Sequence, residues 1–338
     1  MRVRVGALTE ELRAFRRDLH AHPELSRAEH RTTERLAQRL QDAGLEVDPL
    51  EGTGLTCDVP TRAGTRARGL LALRADLDAL PVGEDSGLAF SSTVPGVAHA
   101  CGHDLHTTIV LGAGLVLAEL AAQGRTDYDV RLIFQPSEEI QPGGAVDMMR
   151  AGRLEGVNQI FALHCEPKLD VGQVGTRIGP ITSTADAVTV TLTSEGGHTS
   201  RPHLTGDLVT ALGYVITAVP ALLNRRIDPR SGVNLTWGAV HAGSTPNAIP
   251  TLGTLTGTLR CLDARAWESA QRMLREVVEH VIGPTGVNAE VTIVPGVPPV
   301  DNDEGSVRLL DEAVRSVLGP QALQLTDQSL VGRTSAGT

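Results

Sequence analysis

The sequence predicts an α/β protein with a mainly parallel sheet, interrupted by an inserted ferredoxin-like α+β module. Three observations predict it. Short apolar runs alternate with helical stretches up to about residue 180. From Ile181 the order becomes strand, helix, strand, strand, helix, strand. Chemistry-bearing residues collect just past the apolar runs, where sites form in parallel α/β sheets.

In chain order, Thr9 is placed to cap a helix over Glu10–His20, in which Leu12, Phe15 and Leu19 recur at helical spacing. Pro23 ends that segment, and a second helix covers Glu29–Ala43 and stops at Gly44. Gly69–Leu73 reads as a buried strand with Arg74–Pro81 at its carboxyl end. Thr107–Gln123 is apolar on nearly every face and reads as a buried helix whose N-terminus faces the Ala98–His106 cluster. Val130–Phe134 and Asn158–His164 are further strands, with a helix over Ala145–Arg150 between them. In the inserted module, strands are expected at Ala187–Thr193, Val233–Ala242, Thr251–Leu262 and Ala289–Pro295, and helices at Asp207–Arg225 and Ala264–Ile282. A last helix is expected over Gly305–Leu318. The domain limits that follow are 1–180 and 297–338 for the α/β domain and 181–296 for the insertion.

The composition narrows the class. A chain of 338 residues that is 41% hydrophobic can bury two ordinary cores. A net charge of -10 and only 2% aromatic residues argue against nucleic-acid binding and base stacking. No run of 18 apolar residues suggests a transmembrane helix, and the first residues lack a signal-peptide core, so a cytoplasmic protein is expected. Cys57, Cys101, Cys165 and Cys261 are too widely spaced for a disulfide framework or a zinc ribbon.

Three of the 11 histidines fall within Ala98–His106, where Cys101 and His103 set a thiolate and an imidazole two residues apart. Both are ligands for first-row metals. A Cys-x-His pair alone would more often be a buried cysteine beside a hydrogen-bonded histidine. Here Glu138 and Glu139 follow a strand, and His164 ends another. Neighbouring residues on an extended segment point in opposite directions, so one of the two glutamates can bind metal while the other faces substrate.

Arg74-Ala-Asp-Leu-Asp-Ala-Leu-Pro81, His99-Ala-Cys-Gly-His-Asp104, Gln135-Pro-Ser-Glu-Glu139, Ala162-Leu-His164 and Gly196-Gly-His-Thr-Ser-Arg-Pro-His203 occur in this order. Together they resemble the M20 metallopeptidases, within them the amidohydrolase branch of hippurate, N-acyl-amino-acid and auxin-conjugate hydrolases. The resemblance implies a zinc-exopeptidase-like catalytic domain with a lid domain through which two copies form a homodimer. It implies two divalent cations held by Cys101, His103, Glu139 and His164; Zn2+ suits these ligand types, and so do Mn2+, Co2+ and Ni2+. Glu138 becomes the general base and His198 a lid histidine that stabilises the oxyanion. His203 shares that lid motif. Arg74 stands where the wider superfamily has a histidine ligand, so Asp76 orients a ligand imidazole instead, with Asp104 and His106 as further supporting groups. Asn247 and Arg260 match substrate-binding positions and together would hold the free carboxylate of an N-acyl amino acid. His20 and His22 either line the pocket or form a structural turn. A carboxypeptidase or dipeptidase of the same family, and a pseudoenzyme that binds without turnover, are the alternative readings.

The tail departs from the resemblance. After Asp327-Gln-Ser-Leu330 the relatives continue Gly-Gly-Glu-Asp-Phe, and later supply a last histidine ligand, whereas this chain reads Val331-Gly-Arg-Thr-Ser-Ala-Gly-Thr338. Codons can be chosen for these residues so that one G inserted after Leu330 gives Leu-Gly-Gly-Glu-Asp-Phe-Gly-Trp. The expectation is a single-base deletion, a truncated catalytic domain and impaired activity. Resequencing the locus decides it, and an adjacent frame without Gly-Gly-Glu-Asp-Phe would refute it.

Overall fold

The computed structural model describes residues 2–61 and 68–326, so the tail expectation at 331–338 lies outside the described residues. The chain divides into two compact units with the boundary between Lys168 and Leu169.

The first unit contains α1 (Arg2–Ala21), α2 (His30–Asp42), β1 (Val47–Pro49), β2 (Leu55–Val59), β3 (Leu70–Asp76), α3 (His103–Ala122), β4 (Asp129–Gln135), α4 (Gly144–Arg150) and β5 (Val157–Ala162). Its sheet runs β1-β2-β4-β3-β5. The β4-β3-β5 pairings are parallel, as alternating strands and helices require, while β1 and β2 join antiparallel. Neither of these two strands was expected. Leu55, Cys57 and Val59 alternate inward on β2, but Gly52 and Gly54 beside them read as loop. Leu111, Leu132, Phe134, Leu36, Leu40 and Leu55 form the core between helices and sheet. Burying each such side chain is worth about 1.5–3 kcal/mol, which is why α3 is apolar almost all round.

Two boundaries differ for identifiable reasons. The first helix begins at Arg2, and Thr9 lies inside it, donating its hydroxyl to the Val5 carbonyl at 3.1 Å instead of capping. α3 begins at His103, a full turn before Thr107. Gly102 turns the chain into it with φ of +83°, and a Cβ there would sit 2.8 Å from Cys165 Sγ. By length and composition alone, α3 and the helix Leu208–Arg226 of the second unit could cross a bilayer, but most of α3 is buried in the protein.

The second unit contains β6 (Val174–Thr176), β7 (Gly179–Pro180), β8 (Asp186–Thr193), β9 (Gly197–His198), α5 (Leu208–Arg226), β10 (Asn234–Ala242), β11 (Ala248–Ile249), β12 (Leu252–Arg260), α6 (Ala264–Ile282), β13 (Asn288–Val294), β14 (Asp301–Asn302), α7 (Glu304–Leu318) and β15 (Leu323–Leu325). Its main sheet is antiparallel in the order β10-β12-β8-β13, the ferredoxin-like arrangement, with α5 and α6 packed on it. Asp207 and Asp263 cap α5 and α6 through the amides of Thr210 and Ala266. β14 pairs with β7, and β15 runs parallel to β6, so the stretch after residue 297 folds with residues just before 181.

Candidate metal centre

The site is built at the carboxyl ends of β3, β4 and β5 and the start of α3. Asp76 ends β3 and Asp78 follows two residues on, so both carboxylates point the same way. Asp78 Oδ1 lies 3.2 Å from His103 Nδ1, and its Oδ2 accepts from Ser26 Oγ at 2.6 Å and from the Glu139 amide at 3.0 Å. A neutral His103 that donates Nδ1–H to Asp78 keeps its Nε2 lone pair for a ligand. That Nε2 is buried with no hydrogen-bond partner, 3.7 Å from both Asp76 Oδ2 and Glu139 Oε1.

Asp76 serves an imidazole outside the expected ligand set. Its Oδ1 accepts from His106 Nδ1 at 2.8 Å, and His106 Nε2 in turn accepts from the Cys165 amide at 2.9 Å. That chain of bonds fixes the His164–Cys165 segment against α3. Arg74 Nη1 is 2.7 Å from Asp76 Oδ2. Burial opposes ionisation of Asp76, but Arg74, His106 and His103 outweigh it and hold the carboxyl well below the usual carboxylate range. The imidazole of His103 is thus oriented by Asp78, a role the sequence reading gave to Asp76. Alternation places both on one face, and only the fold shows which α3 imidazole each one meets.

His164 donates Nδ1–H to its neighbour's carbonyl, Cys165 O, at 2.7 Å, leaving Nε2 3.4 Å from Cys101 Sγ. The ligand atoms of Cys101, His103 and His164 lie within 4.8 Å of one another, as do those of His103, Glu138 and Glu139. The expected four ligands and the expected base therefore converge around His103. Burial alone would push a proton off His103, yet the Asp78 bond, Cys101 and Asp76 raise its pKa to about 11. The carboxylates of Asp76 and Glu139, each 3.7 Å from the buried Nε2, make this point favourable for a cation.

Glu138 is half-buried, with Oε2 shielded and without a hydrogen-bond partner. Burial, then Asp76 and Glu139, raise its carboxyl to about 6. Glu139 is also raised, chiefly by burial. Asp104 turns away from His103 and His164. It accepts from His20 Nδ1 at 2.8 Å and pairs with Arg16 at 2.7 Å, because its position in the first turn of α3 faces α1. His20 reaches Glu84 with its other nitrogen at 3.2 Å, which makes it a link in a buried network, while His22 bonds the Asp18 carbonyl at 2.8 Å within the helix-ending turn. His99 is buried with neither nitrogen partnered, and burial lowers its pKa to about 4.

The remaining expected residues belong to the second unit. His198 pairs across to Ala248, and Thr199 donates to the Asn247 carbonyl at 3.2 Å, so His198 and Asn247 are neighbours. His198 is exposed, with Nδ1 2.8 Å from Ser200 Oγ. His203 is exposed on the short turn that follows. Arg260 ends β12, whereas Asn247 precedes its start. Eight residue steps at roughly 3.3 Å separate the two ends by about 26 Å. Asn247 and Arg260 of one chain therefore lie toward opposite ends of β12.

A carboxyl that holds its proton unusually tightly, set beside thiol, imidazole and carboxylate donors at strand ends, is the equipment of a metallohydrolase. The profile of peptidase family M20/M25/M40 matches residues 72–337, and the chain belongs to that family. It is 34% identical over 312 residues to an N-acetyl-L-cysteine deacetylase of Bacillus subtilis, covering 92% of this chain and 74% of that protein. A crystal structure described as a dinuclear metal-binding peptidase of the M20 family, also from Bacillus subtilis, superimposes with a TM-score of 0.83 at 32% identity, over 97% of this chain and 84% of that one. A Rhodococcus jostii protein named for glutamate–cysteine ligase is 50% identical over 328 residues, which are 97% of this chain but only 40% of that protein.

Proposed function

We propose that this chain hydrolyses the amide bond of N-acyl amino acids, as a cytoplasmic homodimer that uses two divalent cations. The observation that carries the reading is the convergence of Cys101, His103, Glu138, Glu139 and His164 around one buried, partnerless imidazole nitrogen. The likeness to an N-acetyl-L-cysteine deacetylase supports the substrate class. Cys101, His103, Glu139 and His164 hold the cations, which when bound polarise the amide carbonyl and acidify water. Glu138 accepts a proton from the attacking water and delivers it to the departing amine nitrogen. Release of free amino acid from N-acetyl-, N-benzoyl- or indole-acyl-amino acids, measured on metal-loaded protein, tests this. Cleavage of blocked dipeptides with none of these acyl amino acids would favour the carboxypeptidase reading.

The raised Glu138 pKa sets a pH dependence. A general base works deprotonated, so kcat/KM falls as pH drops through the free-enzyme pKa. The metal-free value of about 6 is an upper bound, because neighbouring cations favour the carboxylate. An acid limb at or below about pH 6 is expected; a limb centred above pH 7 would exclude Glu138 as the base.

The separation of Asn247 from Arg260 supports a dimer in which His198 and Asn247 of one protomer serve the site of the other. Mixing inactive Glu138→Gln protein with inactive His198→Ala protein, after subunit exchange, should then restore up to about a quarter of wild-type activity. This is the share expected when half the dimers are hybrids with one intact site each. No recovery from a verified hybrid would place His198 in its own protomer's site.

A further inference from the structure

We propose that Glu29 is a positioning residue for the Glu138–Glu139 turn, acting through the backbone of Ser137. The inference rests on the metallohydrolase reading of that turn. Glu29 is fully buried at the start of α2, where an acidic side chain would ordinarily serve the helix. It does not cap α2. Glu24 does so instead, accepting from the amides of Arg31 at 2.9 Å and Thr32 at 2.8 Å. The Glu29 carboxylate is turned toward the site: Oε1 accepts from the Ser137 amide at 2.6 Å and from its hydroxyl at 3.2 Å, and Oε2 accepts from Thr53 Oγ1 at 2.7 Å.

Ser137 needs such a partner. It has φ of +54°, and Arg27 has φ of +69°; these are the non-glycine residues with positive φ among those described. That conformation is disfavoured for side chains with a Cβ and persists where surrounding bonds impose it. Here the two residues are tied together, since the Arg27 amide donates to Ser137 Oγ at 2.9 Å. The Ser137 carbonyl accepts from the Gly144 amide at 2.9 Å, which closes the turn containing both glutamates. Ser26, in the same loop, donates to Asp78, the carboxylate that holds His103. The segment 24–29 thus supports the site at two points, and Glu29 sets the direction in which Glu138 and Glu139 leave Ser137. If Ser137 relaxed to the right-handed region, both carboxyl groups would swing away from His103.

The test compares Glu29→Ala with Glu29→Gln in the full chain, with cobalt(II) as probe metal. Gln keeps an oxygen for the Ser137 amide, while Ala removes it. Glu29→Ala is expected to shift the cobalt d–d bands and to lower kcat on an N-acetyl amino acid by about tenfold or more, the scale of a misplaced catalytic group. KM should be little changed, and Glu29→Gln should stay within about threefold of wild type with a wild-type spectrum. A Glu29→Ala protein with lower Tm but unaltered spectrum and kcat would overturn the proposal, because Glu29 would then be structural only. If Glu29→Ala does not fold, Glu29→Asp, whose carboxylate is one methylene short of the Ser137 amide, carries the test: an altered cobalt spectrum supports the proposal and a wild-type spectrum overturns it. The spectrum reads the ligand turn whatever the substrate. A shifted spectrum without turnover of any N-acyl amino acid would refute the substrate assignment and leave this inference standing.

Discussion

Glu138→Gln should lose roughly two or more orders of magnitude in kcat, the scale of lost general-base catalysis, while binding as much metal as the wild type. The amide is close in shape to the carboxylic acid, so packing around the turn survives. What disappears is the ability to take a proton from water at neutral pH. Glu138 is suited to that task by three features: half-burial, an oxygen without a protein partner, and a pKa lifted to about 6 by burial and by Asp76 and Glu139. Metal content and kcat measured on one preparation separate the roles. A near-normal kcat with full metal would assign the base to another residue, and a parallel loss of metal would make Glu138 a ligand.

Replacing His103 and His164 together by Ala should abolish stoichiometric binding of divalent cations. His103 belongs to each of the donor groups that converge here, and His164 Nε2 lies 3.4 Å from Cys101 Sγ. Removing both leaves a thiol and carboxylates without the nitrogen donors that first-row metals favour. The double variant should remain folded but less stable, since each truncation leaves a gap and His103 also abandons the buried Asp78 carboxylate. Metal analysis after gel filtration reads the outcome, and unchanged stoichiometry would refute the assignment.

The ligand set was legible because each part is local in sequence. Cys101 and His103 are two residues apart, Glu138 and Glu139 are adjacent, and His164 follows an apolar run that could only be a strand. The ferredoxin-like module was legible for the same reason: alternating strands and amphipathic helices such as α6 carry their periodicity in their own residues. Relations between distant residues were not legible. Asp76 and Asp78 share a face, and only the packing of β3 against α3 shows that Asp78 meets His103 and Asp76 meets His106. Glu29 looked like an ordinary residue at a helix start, and nothing local signals that it binds Ser137, 108 positions away. Thr9 fits a cap by type, but the helix continues behind it to Arg2 because its hydroxyl is satisfied within the helix. For Asn247 and Arg260, only the fold shows that the nine-residue β12 lies between them within one chain.

If Cys101, His103, Glu139 and His164 hold the catalytic cations, the Cys101 thiolate makes the site directly measurable. Cobalt(II) titrated into metal-free protein should give a near-ultraviolet sulfur-to-cobalt charge-transfer band that saturates with bound metal. In Cys101→Ser that band should vanish, while Cys165→Ser, whose sulfur is the neighbouring one across Gly102, should keep it. A band that survives in Cys101→Ser, or cobalt that binds stoichiometrically with no thiolate band in the wild type, would contradict the assignment.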